Sequence, residues 1–286
     1  MAFPFHLVDV FASRPFSGNP LAVVVGATEA TTEEMQRFAN FMNLSETTFL
    51  LPPTKEEADY SVRIFTPSTE LPFAGHPTLG TCQVWLDRGG TPRNGDQVVQ
   101  ECQAGLIPLV RNDDRLAFRA PPLIRSGSLT TEEIARFADQ LGIDPATVVD
   151  GAWVDNGPGW AALLLPDAGA VLAIELADVD GRLGLGGPYL GVVGPHDESY
   201  RSDDPAFEVR AFFSANGSPA EDPVTGSLNA SLAQWLVESG RARPPYTVAQ
   251  GSALGRAGLV AISQDGDGEI WVGGRVVTSI TGTVNL

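Results

Sequence analysis

The sequence predicts an α+β fold of two pseudo-symmetric lobes, each a mixed or antiparallel sheet wrapped on a helix. Three observations carry this expectation. Short β-branched runs, among them Leu21-Ala22-Val23-Val24-Val25 and Ile270-Trp271-Val272-Gly273-Gly274-Arg275-Val276-Val277, alternate with Gly, Pro and Asp-Gly turns and outnumber the helical segments. Landmarks of the first half recur in the same order in the second. Each half also holds one turn motif, His76-Pro77 or Asp222-Pro223, that runs into an apolar helical stretch. The lobes are expected at residues 1–115 and 116–286, and the last strands can cross back to complete the first lobe's sheet.

The first landmark is a helix start. Thr31-Thr32-Glu33-Glu34-Met35-Gln36-Arg37-Phe38-Ala39 is matched by Thr130-Thr131-Glu132-Glu133-Ile134-Ala135-Arg136-Phe137-Ala138. Each begins with a Thr-x-x-Glu capping box, in which hydroxyl and carboxylate satisfy N–H groups that a helix leaves open at its start. Met35, Phe38 and Met42, and likewise Ile134, Phe137 and Leu141, then fall on one helical face. A short apolar strand ending in Pro follows in each half, Phe49-Leu50-Leu51-Pro52 and Leu163-Leu164-Leu165-Pro166. Arg63-Ile64-Phe65 and Arg210-Ala211-Phe212 read as strands, and Pro72 pairs with Pro219. His76-Pro77-Thr78-Leu79-Gly80-Thr81 then pairs with Asp222-Pro223-Val224-Thr225-Gly226-Ser227, one residue having been lost between. Pro77 suits a first helical position, with an apolar helix from Leu79 to Leu86; the second helix runs through Leu228, Leu232, Trp235 and Leu236.

Composition narrows the function classes. Lys+Arg 18 against Asp+Glu 35 gives a net charge of −17, which lacks the basic footprint of a nucleic-acid binder and is repelled by anionic membranes. No apolar run is long enough for a membrane span, and the expected location is the cytoplasm. Two cysteines, Cys82 and Cys102, without CxxC spacing make neither a disulfide framework nor a zinc or redox motif. His6 and His196 lack metal spacing to His76, so no metal site is expected. The glycine-rich stretch Gly181–Pro188 fits neither GxGxxG nor GxxxxGK and reads as a loop.

The paired motifs carry the chemistry. A helix N-terminus presents free N–H groups and the positive end of its dipole, so two of them facing each other across a cleft between the lobes would take a carboxylate or a developing enolate. Taken alone, Asp222 fits a plain helix N-cap as well as a site carboxylate. His76 alone fits a loop histidine held by backbone. Glu46, in Leu44-Ser45-Glu46-Thr47-Thr48-Phe49, precedes an apolar strand where the second half has Gly157-Pro158-Gly159-Trp160. Partial burial there would raise its pKa toward the range of proton transfer, which makes it the best acid/base candidate against a plain surface glutamate.

At these residues the sequence resembles the PhzF-like phenazine biosynthesis family, whose fold resembles diaminopimelate epimerase. The resemblance rests on Val8-Asp9-Val10-Phe11 with Phe16-Ser17-Gly18-Asn19-Pro20-Leu21-Ala22-Val23-Val24, on Leu44-Ser45-Glu46-Thr47, on Arg63-Ile64-Phe65-Thr66-Pro67 with Glu70-Leu71-Pro72-Phe73-Ala74-Gly75-His76-Pro77-Thr78, and on Glu221-Asp222-Pro223-Val224-Thr225-Gly226-Ser227. It implies a long helix in a barrel-like sheet in each lobe, a homodimer, and a cofactor-free site for a small carboxylic acid. A well-understood member isomerises trans-2,3-dihydro-3-hydroxyanthranilic acid by moving a proton. By motif match Glu46 corresponds to the proton shuttle, His76, Asp222 and Ser227 to groups that hold the substrate, and the backbone of Gly75, His76, Gly226 and Ser227 to a carboxylate cradle. Leu228-Asn229 depart from the Ala-His that often follows in the family. The related epimerases use two thiols at the helix starts, and this sequence has none there. Proton transfer by Glu46 with His76 or Asp222 as catalytic partner stays open, and a cysteine-independent racemase or epimerase, and a non-catalytic binder of a small acid, remain as alternatives.

Overall fold

Side chains alternate across a pleated strand, so each strand sends every second residue to one face. The first half of the chain uses both faces. In the computed structural model its elements are β1 (Ala2–Val10), β2 (Asn19–Val25), α1 (Thr32–Met42), β3 (Thr47–Leu51), β4 (Tyr60–Phe65), β5 (Glu70–Leu71), α2 (Gly75–Asp87), β6 (Gln97–Cys102), β7 (Gly105–Asn112) and β8 (Arg115–Arg119). The structure describes all residues except 113, 182, 184–186, 198–203 and 216. Half of the glycine-rich stretch, Arg182 and Gly184 to Gly186, therefore lies outside the described residues.

The chain divides into two units, Met1–Arg119 with Gly273–Leu286, and Ala120–Val272. In the first, β1 pairs antiparallel with β2, β2 parallel with β3, and β3 antiparallel with β4. β4 pairs antiparallel with β5 and parallel with β6, and β6, β7 and β8 form an antiparallel meander. A parallel pair needs a crossover; α1 supplies it between β2 and β3. Its capping box is complete, and Asn43, left-handed at φ 51, ends it. Met35 and Ala39 pack with Val24, Phe49 and Phe65 on the outer face of the sheet, and Phe38 stacks edge-on against Phe5 and Phe49.

The other face wraps α2, which touches β1, β2, β3, β4, β6 and β8. Gly75 through Cys82 and Val84 are all buried. Gly80 permits the close approach, since a Cβ there would lie 2.5 Å from Leu21 Cδ2. Polar side chains fix the helix rotation: the Thr81 hydroxyl donates to Thr48 Oγ1 at 2.9 Å, and Gln100 Nε2 donates to Thr78 Oγ1 at 2.9 Å. The Tyr60 hydroxyl donates to Gln100 Oε1 at 3.0 Å.

The second unit holds β9 (Arg125–Ser128), α3 (Thr131–Gln140), β10 (Asp150–Asp155), β11 (Trp160–Leu164), α4 (Ala168–Leu172), β12 (Tyr189–Pro195), β13 (Phe207–Ala215), β14 (Ser218–Glu221), α5 (Gly226–Glu238), β15 (Tyr246–Gln250), β16 (Gly258–Gln264) and the first three residues of β17 (Ile270–Gly274). Its pairings repeat those of the first: β10–β11 antiparallel, β11–β12 parallel, β12–β13 and β13–β14 antiparallel, β13–β15 parallel, β15–β16 antiparallel. β18 (Val276–Asn285) belongs to the first unit, where it pairs antiparallel with β1 along its length. The expected fold class, two pseudo-symmetric α+β lobes with a sheet wrapped on a helix, is the one found. No helix among the described residues is long and apolar enough to cross a membrane.

The repeat is real, but its register differs from the sequence expectation at several places, one of them the Phe49–Pro52 strand, whose counterpart is β12 and not Leu163–Pro166. The matched capping boxes open α1 and α3, and both boxes form. Yet α1 joins β2 to β3 whereas α3 precedes β10, so the topological counterpart of α1 is the short α4 between β11 and β12. A capping box is a local solution that any helix start reaches independently. A further correction concerns the motifs. Phe65 pairs with Glu70 and Phe212 with Glu221, and each glutamate forks onto an arginine one strand-step away, Arg63–Glu70 at 2.6 Å and Arg210–Glu221 at 2.7 Å. These pairs align Glu70-Leu71-Pro72-Phe73-Ala74-Gly75-His76 with Glu221-Asp222-Pro223-Val224-Thr225-Gly226-Ser227. The counterpart of His76 is therefore Ser227, and that of Pro72 is Pro223. The β13–β14 hairpin, with residues 213–220 where the first unit has only 66–69, absorbs the difference.

Candidate active site

Glu46 stands at the mouth of β3. Thr48 faces α2 through Thr81 and Phe49 joins the α1 face, so the two-residue alternation sends Glu46 toward α2. There its Oε2 lies 3.2 Å from Nδ1 of His76, with 16% of the Glu46 side chain exposed. Glu46 is thus no surface residue. His76 is no loop residue either: it is the second residue of α2 and is buried. Pro77 comes third rather than first, still within the turn whose N–H groups have no partner inside the helix.

Burial pushes the pKa of His76 down to about 3, against the opposing pull of the Pro20 backbone carbonyl. At neutral pH the imidazole is therefore uncharged, with one nitrogen carrying a proton and the other a lone pair. A neutral imidazole beside a carboxyl group does not fix it as an ion pair, which leaves the carboxyl able to shed and regain a proton. Pro20 reaches the site because Asp9 ties down the preceding loop, accepting from the backbone N–H of Ser17 and of Gly18 at 2.9 Å each.

In the second unit Asp222 is not the N-cap of α5; Thr225 is, and its side chain caps nothing. The Thr225 hydroxyl instead donates to Asp222 Oδ2 at 2.7 Å. Buried Gln250 locks this turn, accepting from Thr225 N and Asn229 Nδ2 and donating to the Asp222 carbonyl. Asn229, half of the Leu228-Asn229 departure, is thereby consumed inside the fold, and Leu228 packs on Gly191. Gly226 and Ser227 are the first two residues of α5, as Gly75 and His76 are of α2. Ser227 Oγ accepts from the indole N–H of Trp160 at 3.1 Å, and its carbonyl from Asn156 Nδ2 at 2.9 Å.

Trp160, Asn156 and Gln250 escaped the sequence reading because they lie far along the chain from the motif they serve. The structure also replaces the counterpart of Glu46. Thr47 pairs with Phe65 and Leu190 with Phe212, so Glu46 corresponds to Tyr189, not to the Gly157–Trp160 segment. Tyr189 stacks between Trp160 and Phe213, with ring centroids 5.5 and 6.1 Å away. The Arg63–Glu70 and Arg210–Glu221 spacings were the signal that gives this register. Both cysteines are free and buried, and burial raises their thiols, Cys82 to about 12. Among the described residues no group of three or more His, Cys, Asp and Glu gathers as a metal site would need.

The family model for phenazine biosynthesis-like protein (PhzC-PhzF) matches residues 8–282. The chain belongs to that family. It is 32% identical to antisense-enhancing sequence 1 of Schizosaccharomyces pombe over 97% of both chains. It is 33% identical to trans-2,3-dihydro-3-hydroxyanthranilate isomerase of Pseudomonas aeruginosa, over 93% of this chain and 91% of that one. The crystal structure of an Enterococcus faecalis PhzF family protein superposes with a TM-score of 0.78 at 25% identity over 100% of both chains. As a PhzF-like protein with isomerases among its relatives, the chain is an isomerase.

Proposed function

We propose that this PhzF-like isomerase moves a proton within a small amino or hydroxy carboxylic acid without a cofactor, with Glu46 as the acid/base and His76 as the neutral partner beside it. The observation that carries this reading is the 3.2 Å contact between Glu46 Oε2 and Nδ1 of a histidine that burial keeps neutral. A carboxyl group that must shed and regain a proton in one turnover needs a neighbour that neither fixes it as an ion pair nor leaves it to water. Asp222, Ser227 and the first-turn backbone of Gly75 and Gly226 are assigned to substrate binding. Neither helix start is capped by a side chain, which keeps those N–H groups available to a carboxylate. The same proposal takes the protein as a cytoplasmic homodimer.

The substrate to test is the one named for the Pseudomonas relatives, trans-2,3-dihydro-3-hydroxyanthranilate. NMR of this acid with the protein in D₂O is expected to show isomerisation with deuterium incorporation. Glu46→Gln is expected to slow it by about 100-fold or more. An unchanged rate in the variant would remove Glu46 from the mechanism, and no turnover by the native protein would move the substrate elsewhere.

A further inference from the structure

The two helix starts are built on one scaffold but filled differently. Where α2 begins Gly75-His76 beside Glu46, α5 begins Gly226-Ser227 beside the Trp160–Tyr189–Phe213 row. The row is a consequence of register: Trp160 pairs with Tyr189 across β11–β12, and Leu190 with Phe212 across β12–β13, so the three aromatic residues sit side by side on adjacent strands. They share the sheet face of Gly191, against which Leu228 of α5 packs. An aliphatic hydroxyl does not ionise near neutral pH as a carboxyl group does, so this half of the duplication holds rather than shuttles.

What it holds follows from hydrogen-bond valence. An indole N–H is a donor only, and a serine hydroxyl has one hydrogen to give. The buried Trp160 indole donates to Ser227 Oγ, and no described residue accepts the Ser227 hydroxyl hydrogen. Ser227 has a spent acceptor site and an unspent donor. Asn156 Nδ2, bonded to the Ser227 carbonyl, holds the backbone in place while this happens.

We propose that Trp160 is a positioning residue that fixes Ser227 as a hydrogen-bond donor, so that the α5 start selects a ligand group that only accepts, a carboxylate oxygen, over a group that also donates, such as a carboxamide. With one of its two lone pairs taken by the indole, the hydroxyl is biased toward giving its single hydrogen, which a carboxylate oxygen takes more strongly than a carboxamide does. Donation into Oγ also polarises the hydroxyl and strengthens its own donation. This rests on the assignment of Ser227 to substrate binding, but not on Glu46 or on turnover.

The test is equilibrium binding by calorimetry of two non-reacting probes that differ in one group, anthranilate and anthranilamide. Native protein is expected to favour the acid, and Ser227→Ala to lose most of that preference. Trp160→Phe keeps the aromatic packing and removes only the N–H. It is expected to cut the acid-to-amide preference by about three- to tenfold, and Trp160→Phe with Ser227→Ala to cut it no further than Ser227→Ala alone. A merely structural Trp160 would weaken both probes equally and leave the ratio unchanged, which overturns the proposal. So does a native protein that does not prefer the acid. The binding ratio stands apart from the proton-transfer reading: turnover lost in Glu46→Gln with an unchanged Trp160→Phe ratio sinks this inference alone, and the converse sinks the mechanism alone.

Discussion

Acidification should weaken the fold through His76, and the size of the effect follows from its burial. The imidazole is 3% exposed and its pKa in the folded protein is about 3, against an ordinary 6.5. Between those two values the unfolded chain binds a proton that the folded chain does not, so stability rises with pH across that window. The contribution is complete above the unfolded value and is lost as pH falls from about 6.5 toward 3. Linkage between pH 7.5 and 4.5 then gives a loss of about 2.7 kcal/mol from this one residue, a large part of the roughly 5–15 kcal/mol that holds a protein folded. Urea unfolding at half-unit pH steps of the protein with and without His76→Asn, each also carrying Glu46→Gln to remove the carboxyl in contact with residue 76, isolates it. The protein that keeps His76 should lose about 2–3 kcal/mol more than the one with His76→Asn over that range. Parallel curves would refute the argument, as would a His76 ring signal titrating near 6 in an NMR pH series.

Two homologous ion pairs should differ in worth. Arg210 and Glu221 are at most 2% exposed in their side chains, so Arg210→Ala strands a buried charge and should cost about 3–5 kcal/mol. Arg63 and Glu70 are 28% and 19% exposed, and Arg63→Ala should cost about 1 kcal/mol or less in the same urea assay. Gly80→Ala forces a methyl against Leu21 and Val8 and should lower stability by about 1–3 kcal/mol, seen as a lower urea midpoint at constant m-value. Thr31→Ala and Thr130→Ala should each cost about 1 kcal/mol and add independently, since the two boxes cap separate helices in separate units.

The sequence by itself determined the local pieces and the family. Both capping boxes, the strands at Phe49, Arg63, Leu163 and Arg210, and the helices after His76 and Asp222 were legible because each depends on residues within one turn or one alternation. The run of motifs from Val8 to Ser227 was legible because it is long and ordered. The register of the repeat was not. Matching Pro to Pro along the chain set His76 against Asp222, whereas the ladder and the Arg–Glu forks set it against Ser227. A longer hairpin changes how many residues separate two matched positions without changing any local pattern, so only hydrogen-bonded partners reveal it. The likeness of α1 and α3 misled for the opposite reason: identical local physics arose at places the topology does not equate. Tertiary structure also decided the chemistry at the helix starts. Burial, a property of everything packed around a residue, keeps His76 neutral, and the turn of β10 into β11 brings Trp160 onto Ser227 from a distant part of the chain. Desolvation and long-range contact depend on the assembled surroundings, and no window of sequence contains them.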